Sequence, residues 1–181
     1  MLVALAVVAA VALFAITIYN KLVSLKNLAE EGWSGIDVQL KRRTDLIPNL
    51  LETVKGYASH EKEVFEEVTK RRSESMKPHS IDEQGRTEAA LSQSLMKLMA
   101  VAENYPELKA DANFRQLQNE LSAIEDEIQK SRRYYNGTVR ELNTKVESFP
   151  SNLVANAFSF NKFPFFELDN PADRNVPQVK F

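Results

Sequence analysis

Cysteine is absent from the sequence, and glycine, proline and histidine are scarce. Without cysteine the chain forms no disulfide and offers no thiolate to zinc, to an iron–sulfur cluster or to a substrate. The five glycines and seven prolines are too few for a β-sandwich or barrel with many tight turns. Good helix formers fill the middle of the chain instead, so the composition predicts an all-α protein.

Neither sign of charge dominates, since the net charge at pH 7 is −2. A chain that is close to neutral has no general electrostatic reason to bind nucleic acid, because such domains usually carry a strong basic excess. We therefore predict that nucleic acid is not a partner.

The two histidines, His60 and His79, are the natural candidates for a metal ligand or a general base. A zinc-protease motif starting at His60 would need a second histidine where Val64 stands. The glutamate that precedes histidine by three residues in di-iron bundles is also missing, because those positions hold Tyr57 and Met76. Since no glycine-rich phosphate loop or nucleophile elbow occurs either, we predict no catalytic residue, no cofactor and no metal site.

The run from Met1 to Tyr19 is apolar except for Thr17. At ~1.5 Å per residue, a helix of this length nearly matches the ~30 Å hydrocarbon layer of a bilayer. No basic residue precedes Lys21, and the run ends in large side chains rather than the small ones that a signal peptidase needs. We therefore expect residues 1–20 to be an uncleaved transmembrane anchor, with Tyr19 at the membrane interface.

All 23 lysines and arginines follow this run, with Lys21 and Lys26 nearest to it. The positive-inside rule then favours a single-pass protein with a cytoplasmic body. Long domains cross membranes despite such charges, so a body outside the membrane is the alternative.

Beyond the anchor, apolar or small residues recur at spacings of three and four from Leu22 to Ala58, which predicts one long amphipathic helix ending near residues 70–72. Pro48 lies inside this pattern. Because the apolar spacing resumes in phase after Pro48, we interpret it as a kink rather than a turn.

A second helix is predicted to begin after Ser80, which forms a capping-box pattern with Glu83, and to end near Asn104. Pro106 is placed to start a third helix of about 40 residues, which Pro150 ends. Its apolar residues recur every seven positions at Phe114, Leu121, Ile128, Tyr135, Leu142 and Phe149. The predicted fold is an N-terminal transmembrane helix followed, over residues 21–150, by an elongated antiparallel up-and-down bundle with coiled-coil-like long helices.

Helix lengths add a further expectation. In an up-down-up arrangement a second helix of about 23 residues returns ~35 Å, and a third of about 43 residues then travels ~64 Å. The third helix overshoots, so its apolar stripe needs cover from the tail or from another copy. Residue 150 would also lie at the end of the bundle that is farthest from the membrane.

The tail, residues 151–181, is unusually aromatic. Seven of the ten phenylalanines fall in the final 33 residues, namely Phe149 just before the tail and Phe158, Phe160, Phe163, Phe165, Phe166 and Phe181 within it. Such side chains rarely stay in water, so the tail is expected to pack on the bundle or on a neighbouring subunit.

Charged residues cluster at Lys41, Arg42 and Arg43, and three successive helical residues spread over about 200°, so one cation must approach the buried stripe. We interpret the cluster as an ion-pair network between helices; a phosphate, lipid-headgroup or nucleotide site is the alternative. The structural or interaction candidates of the whole chain are Trp33, Asp37, Arg42, Arg43, Asp45, Pro48, Glu125, Arg132, Phe158, Phe160, Phe165 and Phe166.

Two long segments resemble the LemA family of bacterial membrane proteins. One runs from Trp33 to Glu61, WSGIDVQLKRRTDLIPNLLETVKGYASHE; the other lies between Ala102 and Glu167 and contains AENYPELKADANFRQLQNELSAIEDEIQKSRRYYN, NTKVESFPSN and FSFNKFPFFE. The resemblance covers nearly the whole chain from Tyr19, and the departures are confined to residues 73–86. It implies a helical bundle behind one span of the bacterial inner membrane, a body often described as cytoplasmic, and no known activity or cofactor. One relative serves in magnetosome membrane formation.

These observations favour a membrane-anchored scaffold or membrane-organising protein that acts by self-association or partner recruitment. The expected partners are the lipid bilayer through residues 1–20, further copies of the chain and other membrane proteins. The first alternative is a helical sensor or transport accessory protein. The second is an undetected enzyme that uses carboxylates such as Asp37 and Asp45.

Overall fold

The computed structural model describes residues 1–167 of the chain. Within that range it contains six α-helices and no strand, which confirms the all-α prediction. The helices are α1 (Leu2–Lys55), α2 (Lys62–Ser75), α3 (Ile81–Ala102), α4 (Pro106–Ala110), α5 (Ala112–Glu147) and α6 (Ser151–Ala157). The part of the tail prediction that concerns residues 168–181, including Phe181, lies outside the described residues.

Helix α1 passes through Pro48 without a break, as expected from the resumed spacing. The expectation that it reaches residues 70–72 is wrong, because it ends at Lys55. The backbone N–H groups of Tyr57 and Ala58 both donate to the Val54 carbonyl, at 3.1 and 2.9 Å, and close the last turn. Periodicity missed this turn because Ala58 is buried after it as it would be in a continuing helix.

The start of α3 agrees with the sequence. The Glu83 backbone N–H donates to Ser80 Oγ at 3.4 Å, and the Ser80 backbone N–H donates to Glu83 Oε2 at 3.1 Å. These reciprocal bonds form the predicted capping box and satisfy amide groups that have no partner inside the helix.

The single third helix of about 40 residues is replaced by two helices. Pro106 is the first residue of α4, as predicted, but α4 has five residues and stops before Asp111. Asp111 Oδ1 then accepts the Phe114 backbone N–H at 2.8 Å and caps α5, which has 36 residues. A capping aspartate therefore interrupts what the heptad pattern suggested was one helix.

The chain divides into two compact units. Unit 1 comprises residues 1–38 and 128–165, and unit 2 comprises residues 39–127 with 166 and 167. The core of unit 1 is formed by Leu22, Leu25, Ala29, Ile36, Ile128, Tyr135, Val139, Leu142 and Ala155. Unit 2 has its own core, which includes Ile47, Leu50, Val54, Val68, Leu91, Leu98 and Leu108.

Within unit 1, α5 runs antiparallel to α1. The Trp33 ring lies 5.7 Å from the Tyr135 ring, whereas Tyr19 lies beside Phe158, so residue numbers rise along one segment as they fall along the other. The expectation that residue 150 lies farthest from the anchor is therefore wrong. Because α1 ends at Lys55 and α2 follows as a separate helix, the chain reverses once more than predicted. As a result, α5 runs back towards Tyr19.

Candidate functional site

Unit 2 contains a buried ion cluster centred on Arg43. The side chain of Arg43 is 2% exposed and that of Glu88 is fully buried, and Arg43 Nη2 pairs with Glu88 Oε2. Arg43 Nη1 donates to Glu125 Oε1 at 2.6 Å and to Ser92 Oγ at 2.9 Å. The cluster therefore joins α1, α3 and α5, and Glu125 is brought to the cation as a partner.

Further hydrogen bonds satisfy the buried carboxylate. Ser75 Oγ donates to Glu88 Oε1 at 2.6 Å, and Gln84 Nε2 donates to the same oxygen at 2.5 Å. Ser75 belongs to α2, so the network reaches a fourth helix. The buried charges of Arg43 and Glu88 are thus paired and hydrogen-bonded by residues of four helices.

Sequence reasoning missed Glu88, although a signal was present. Glu88 stands three residues before Leu91 and seven before Leu95, both of which mark the buried face of α3. A carboxylate at that spacing lies on the same helical face and needs a buried cation.

The other charged candidates lie elsewhere. Arg42 donates to Gln39 Oε1 at 3.1 Å on the exposed side of α1, and Asp45 pairs with Lys41 at 2.8 Å. Asp37 is exposed and Arg132 is half-buried, both in unit 1. Arg42 and Asp45 therefore do not enter the Arg43 cluster.

Among residues 1–167, three carboxyl groups have pKa values below their ordinary range, each because of a contact that supports the fold. A backbone N–H in the first turn of α5 lowers the pKa of Asp111 most, and the Ser80 backbone N–H does the same for Glu83. The hydrogen bond from Lys97 lowers the pKa of Glu67. All three contacts favour the ionised form, whereas a general acid needs a raised pKa. No group of three or more potential metal ligands occurs in residues 1–167.

Unit 1 carries the apolar segment of α1. Among the described residues, α1 is the one helix long and apolar enough to cross a membrane, and its most apolar window is not buried at all. Burial begins at Leu22 and continues at Leu25. The same helix thus passes from a fully exposed apolar surface into a packed core.

Close packing of α1 on α5 centres on Gly32 and Trp33. A Cβ on Gly32 would lie 3.2 Å from Tyr135 Cα, so glycine permits the close approach of the two backbones. A Cβ on Gly35 would meet nothing within 4 Å. The helix crossing therefore involves Gly32 and leaves Gly35 open.

The end of α6 reverses the chain through a Schellman motif. The Phe160 backbone N–H donates to the Ala155 carbonyl at 2.9 Å, and the Ser159 N–H donates to the Asn156 carbonyl at 3.3 Å. Ser159 has a φ of 58°, in the left-handed region where glycine is usual.

This reversal brings two aromatic rings to the end of the apolar segment. The ring of Tyr19 lies 4.8 Å from that of Phe158 and 5.6 Å from that of Phe160, both edge-on. Aromatic pairs in this geometry are stabilising beyond the area they bury. The tail candidates Phe158 and Phe160 therefore meet the residue that was predicted to lie at the membrane interface.

The next residues of the tail pack along α5. Tyr135 Oη donates to the Pro164 carbonyl at 2.8 Å. The side chain of Asn143 both donates to the Phe163 carbonyl and accepts the Phe163 N–H, each at 2.9 Å. Phe166 is fully buried within unit 2, and Phe165 stays partly exposed in unit 1.

A model of the LemA family matches residues 32–181. Protein LemA of Metamycoplasma hominis is 28% identical over 152 residues, which are 82% of this chain and 68% of that protein. Magnetosome protein MamQ of Magnetospirillum gryphiswaldense is 22% identical over 189 residues, or 89% of this chain and 70% of the relative. Magnetosome protein MamQ 2 of Paramagnetospirillum magneticum is 23% identical over 180 residues, or 85% and 66%. The chain spans about two thirds of the length of these relatives.

Proposed function

Since the chain belongs to the LemA family, we propose that it is a membrane-anchored helical scaffold. In this proposal residues 2–19 cross the bilayer, and the folded body organises the membrane by self-association or by recruiting other membrane proteins. The function requires no chemical step.

The observation that carries the proposal is the continuity of α1. The exposed apolar segment leads directly into the part of the helix that is buried from Leu22 onward, and no linker separates them. An apolar helical surface long enough to cross a bilayer supports contact with lipid. A helix without a linker holds unit 1 at a fixed height above the membrane, as a scaffold requires.

The relatives support a membrane-organising role by analogy. Two of those compared are named as magnetosome proteins in their own organisms. Extending that role to this chain is our proposal, since the two relatives share less than a quarter of its residues over the aligned length.

For self-association we propose the groove in unit 1 that Gly35, Val38 and Tyr134 line. Val38 and Tyr134 are exposed large side chains, and the missing side chain of Gly35 leaves room for an approaching helix. Two copies anchored in one bilayer present this groove at the same height, which suits a symmetric pair.

Anchoring is tested by washing membranes from cells that express the full chain with high salt and then with alkali. The protein is expected to stay with the membrane pellet. Release by either wash would overturn the anchor, because peripheral proteins leave under these conditions and a spanning helix does not.

Self-association is tested by the mass of the detergent-solubilised chain, measured by light scattering. A dimer or higher oligomer is expected, and Gly35→Arg should reduce it to a monomer. Gly137→Arg is the matched control, because a Cβ at Gly137 also meets nothing within 4 Å. A monomeric unmodified chain, or equal masses for both variants, would contradict the proposed groove.

A further inference from the structure

Unit 1 has a second apolar surface besides the span. We call two phenylalanines and the leucine between them the aromatic foot: Phe149, Leu153 and Phe158. They lie in and beside α6 and are 80%, 60% and 61% exposed. The inner side of α6 is occupied by Ser151 and Ala155, which are buried. Small residues of α6 therefore pack on the bundle, whereas Leu153 and the neighbouring Phe149 and Phe158 stay mostly exposed.

Phe158, one residue of the foot, lies beside the residue at which the apolar run ends. Tyr19 is the last residue of the apolar run, and its ring touches those of Phe158 and Phe160 at 4.8 and 5.6 Å. A tyrosine at the end of a membrane-spanning helix lies at the headgroup level. Because the rings are in contact, Phe158 lies at that level too.

We propose that the aromatic foot inserts into the headgroup–acyl boundary of the same leaflet and gives the protein a second membrane contact. This inference rests on the proposed anchoring by residues 2–19. Phenylalanine and leucine are the side chains with which interfacial helices enter this layer. Two exposed lysines, Lys145 and Lys162, flank the foot, and Lys162 pairs with Glu147 at 2.7 Å, which reduces the negative charge facing the headgroups.

The tail geometry maintains the foot in position. The Schellman turn at Ser159 lies between Phe158 and Phe160, whose rings both contact Tyr19, and the paired bonds between Asn143 and Phe163 tie the following residues to α5. Ser159 adopts its left-handed conformation at a cost that glycine would avoid, so the turn is stabilised by its surroundings.

The absence of cysteine allows a direct test, because a single introduced thiol is the sole labelling site. The full chain carrying Leu153→Cys, modified with a nitroxide, is placed in vesicles of phosphatidylcholine and phosphatidylglycerol in equal amounts. Collision rates with oxygen, which concentrates in lipid, and with a water-soluble nickel chelate are then measured by electron paramagnetic resonance. The label at position 153 is expected to collide several-fold more often with oxygen than with nickel.

Two matched labels separate the possible outcomes. Val11→Cys reports on the span, and Gln129→Cys reports on an exposed site in unit 1, about 20 Å along α5 from Leu142. A lipid-like label at 11 with a water-like label at 153 would overturn the foot and leave the anchor intact. Water-like labels at both positions would overturn the anchor itself. A label at 153 that is shielded from both colliders and broadened by a neighbouring spin would show that a second copy covers the foot, which also overturns the proposal.

Discussion

At the scale of single residues, Arg43 has the most consequential contacts. Arg43→Ala should lower the free energy of unfolding by about 3 to 5 kcal/mol, because it leaves the carboxylate of Glu88 buried without its cation. Denaturant unfolding of the full chain in detergent measures this loss. Lys41→Ala on the same helix removes an exposed ion pair with Asp45 and should cost less than about 1 kcal/mol.

The double variant Arg43→Met with Glu88→Leu shows whether the loss of stability comes from an unpaired buried charge or from a packing defect. If the loss comes from an unpaired carboxylate, the double variant should be more stable than Arg43→Met alone. Losses that simply add would show that the two side chains matter for their volume and not for their charges.

Replacing Gly85 of α3 and Gly137 of α5 by alanine should change the free energy of unfolding in opposite directions. Gly137→Ala should raise the free energy of unfolding by about 1 kcal/mol, since the added methyl group meets nothing within 4 Å. Gly85→Ala should lower it, because the methyl group would overlap the Glu167 carbonyl oxygen. Melting temperatures of the two variants that shift in the same direction would contradict these environments.

The lowered carboxyl pKa values predict a pH dependence. Asp111, Glu83 and Glu67 ionise more readily in the folded chain than their ordinary pKa values of 3.8, 4.5 and 4.5 imply. Their stabilising contribution is therefore fully present above those ordinary values and is lost as pH falls through the lower folded values. The melting temperature should fall when pH drops below 4.5, and Asp111→Asn should reduce that dependence.

At the scale of helices, the sequence correctly predicted the helix starts that depend on nearby residues. The capping box at Ser80 and the proline at position 106 correctly marked the starts of α3 and α4. The end of α1 and the break before α5 were missed, because buried residues continue at helical spacing across both. Periodicity reports which residues face a core, and it does not distinguish one helix from two that face the same core.

Because the turn at the end of α1 was missed, the predicted direction of α5 was opposite to the observed one. The predicted position of the tail was wrong for the same reason. The sequence indicated that a cation would be paired in the core, but it did not identify Glu88 as the partner of Arg43 or Ser75 as the donor to Glu88. These residues come from helices whose pairing depends on the turns. The aromatic contact between Tyr19 and the tail could not be derived from spacing at all. It depends on the number of chain reversals between them.

The contribution of the tail to α5 is tested by truncation. A chain stopped after Glu147 loses the bonds that Pro164 and Phe163 make with Tyr135 and Asn143. Hydrogen exchange of backbone amides in the last three turns of α5 should then become faster, because these turns open more readily. A chain stopped after Glu167 keeps all these contacts and is the control. Equal exchange in both truncated chains would show that α6 and residues 158–165 do not stabilise α5.

At the scale of the whole molecule, the family and the helical fold follow from the sequence, whereas the side of the membrane remains a prediction. Met76→Cys introduces one thiol at an exposed position in the connection after α2. If the body is cytoplasmic, a membrane-impermeant thiol reagent should label it after permeabilisation and not in intact cells. Labelling in intact cells would place the body outside.

The antiparallel pairing of α1 and α5 also sets an order of assembly during synthesis. Unit 2 is built mainly from the continuous stretch 39–127, whereas unit 1 needs residues 1–38 together with 128–165. The apolar stripe of Leu22, Leu25 and Ile36 leaves the ribosome early, whereas the core residues from the second segment of unit 1 begin much later, at Ile128. The continuous part of unit 2 is therefore available for packing before unit 1, and residues 166 and 167 join unit 2 after residue 165 has been made. During that interval the early stripe lacks the partners that cover it in the folded unit 1.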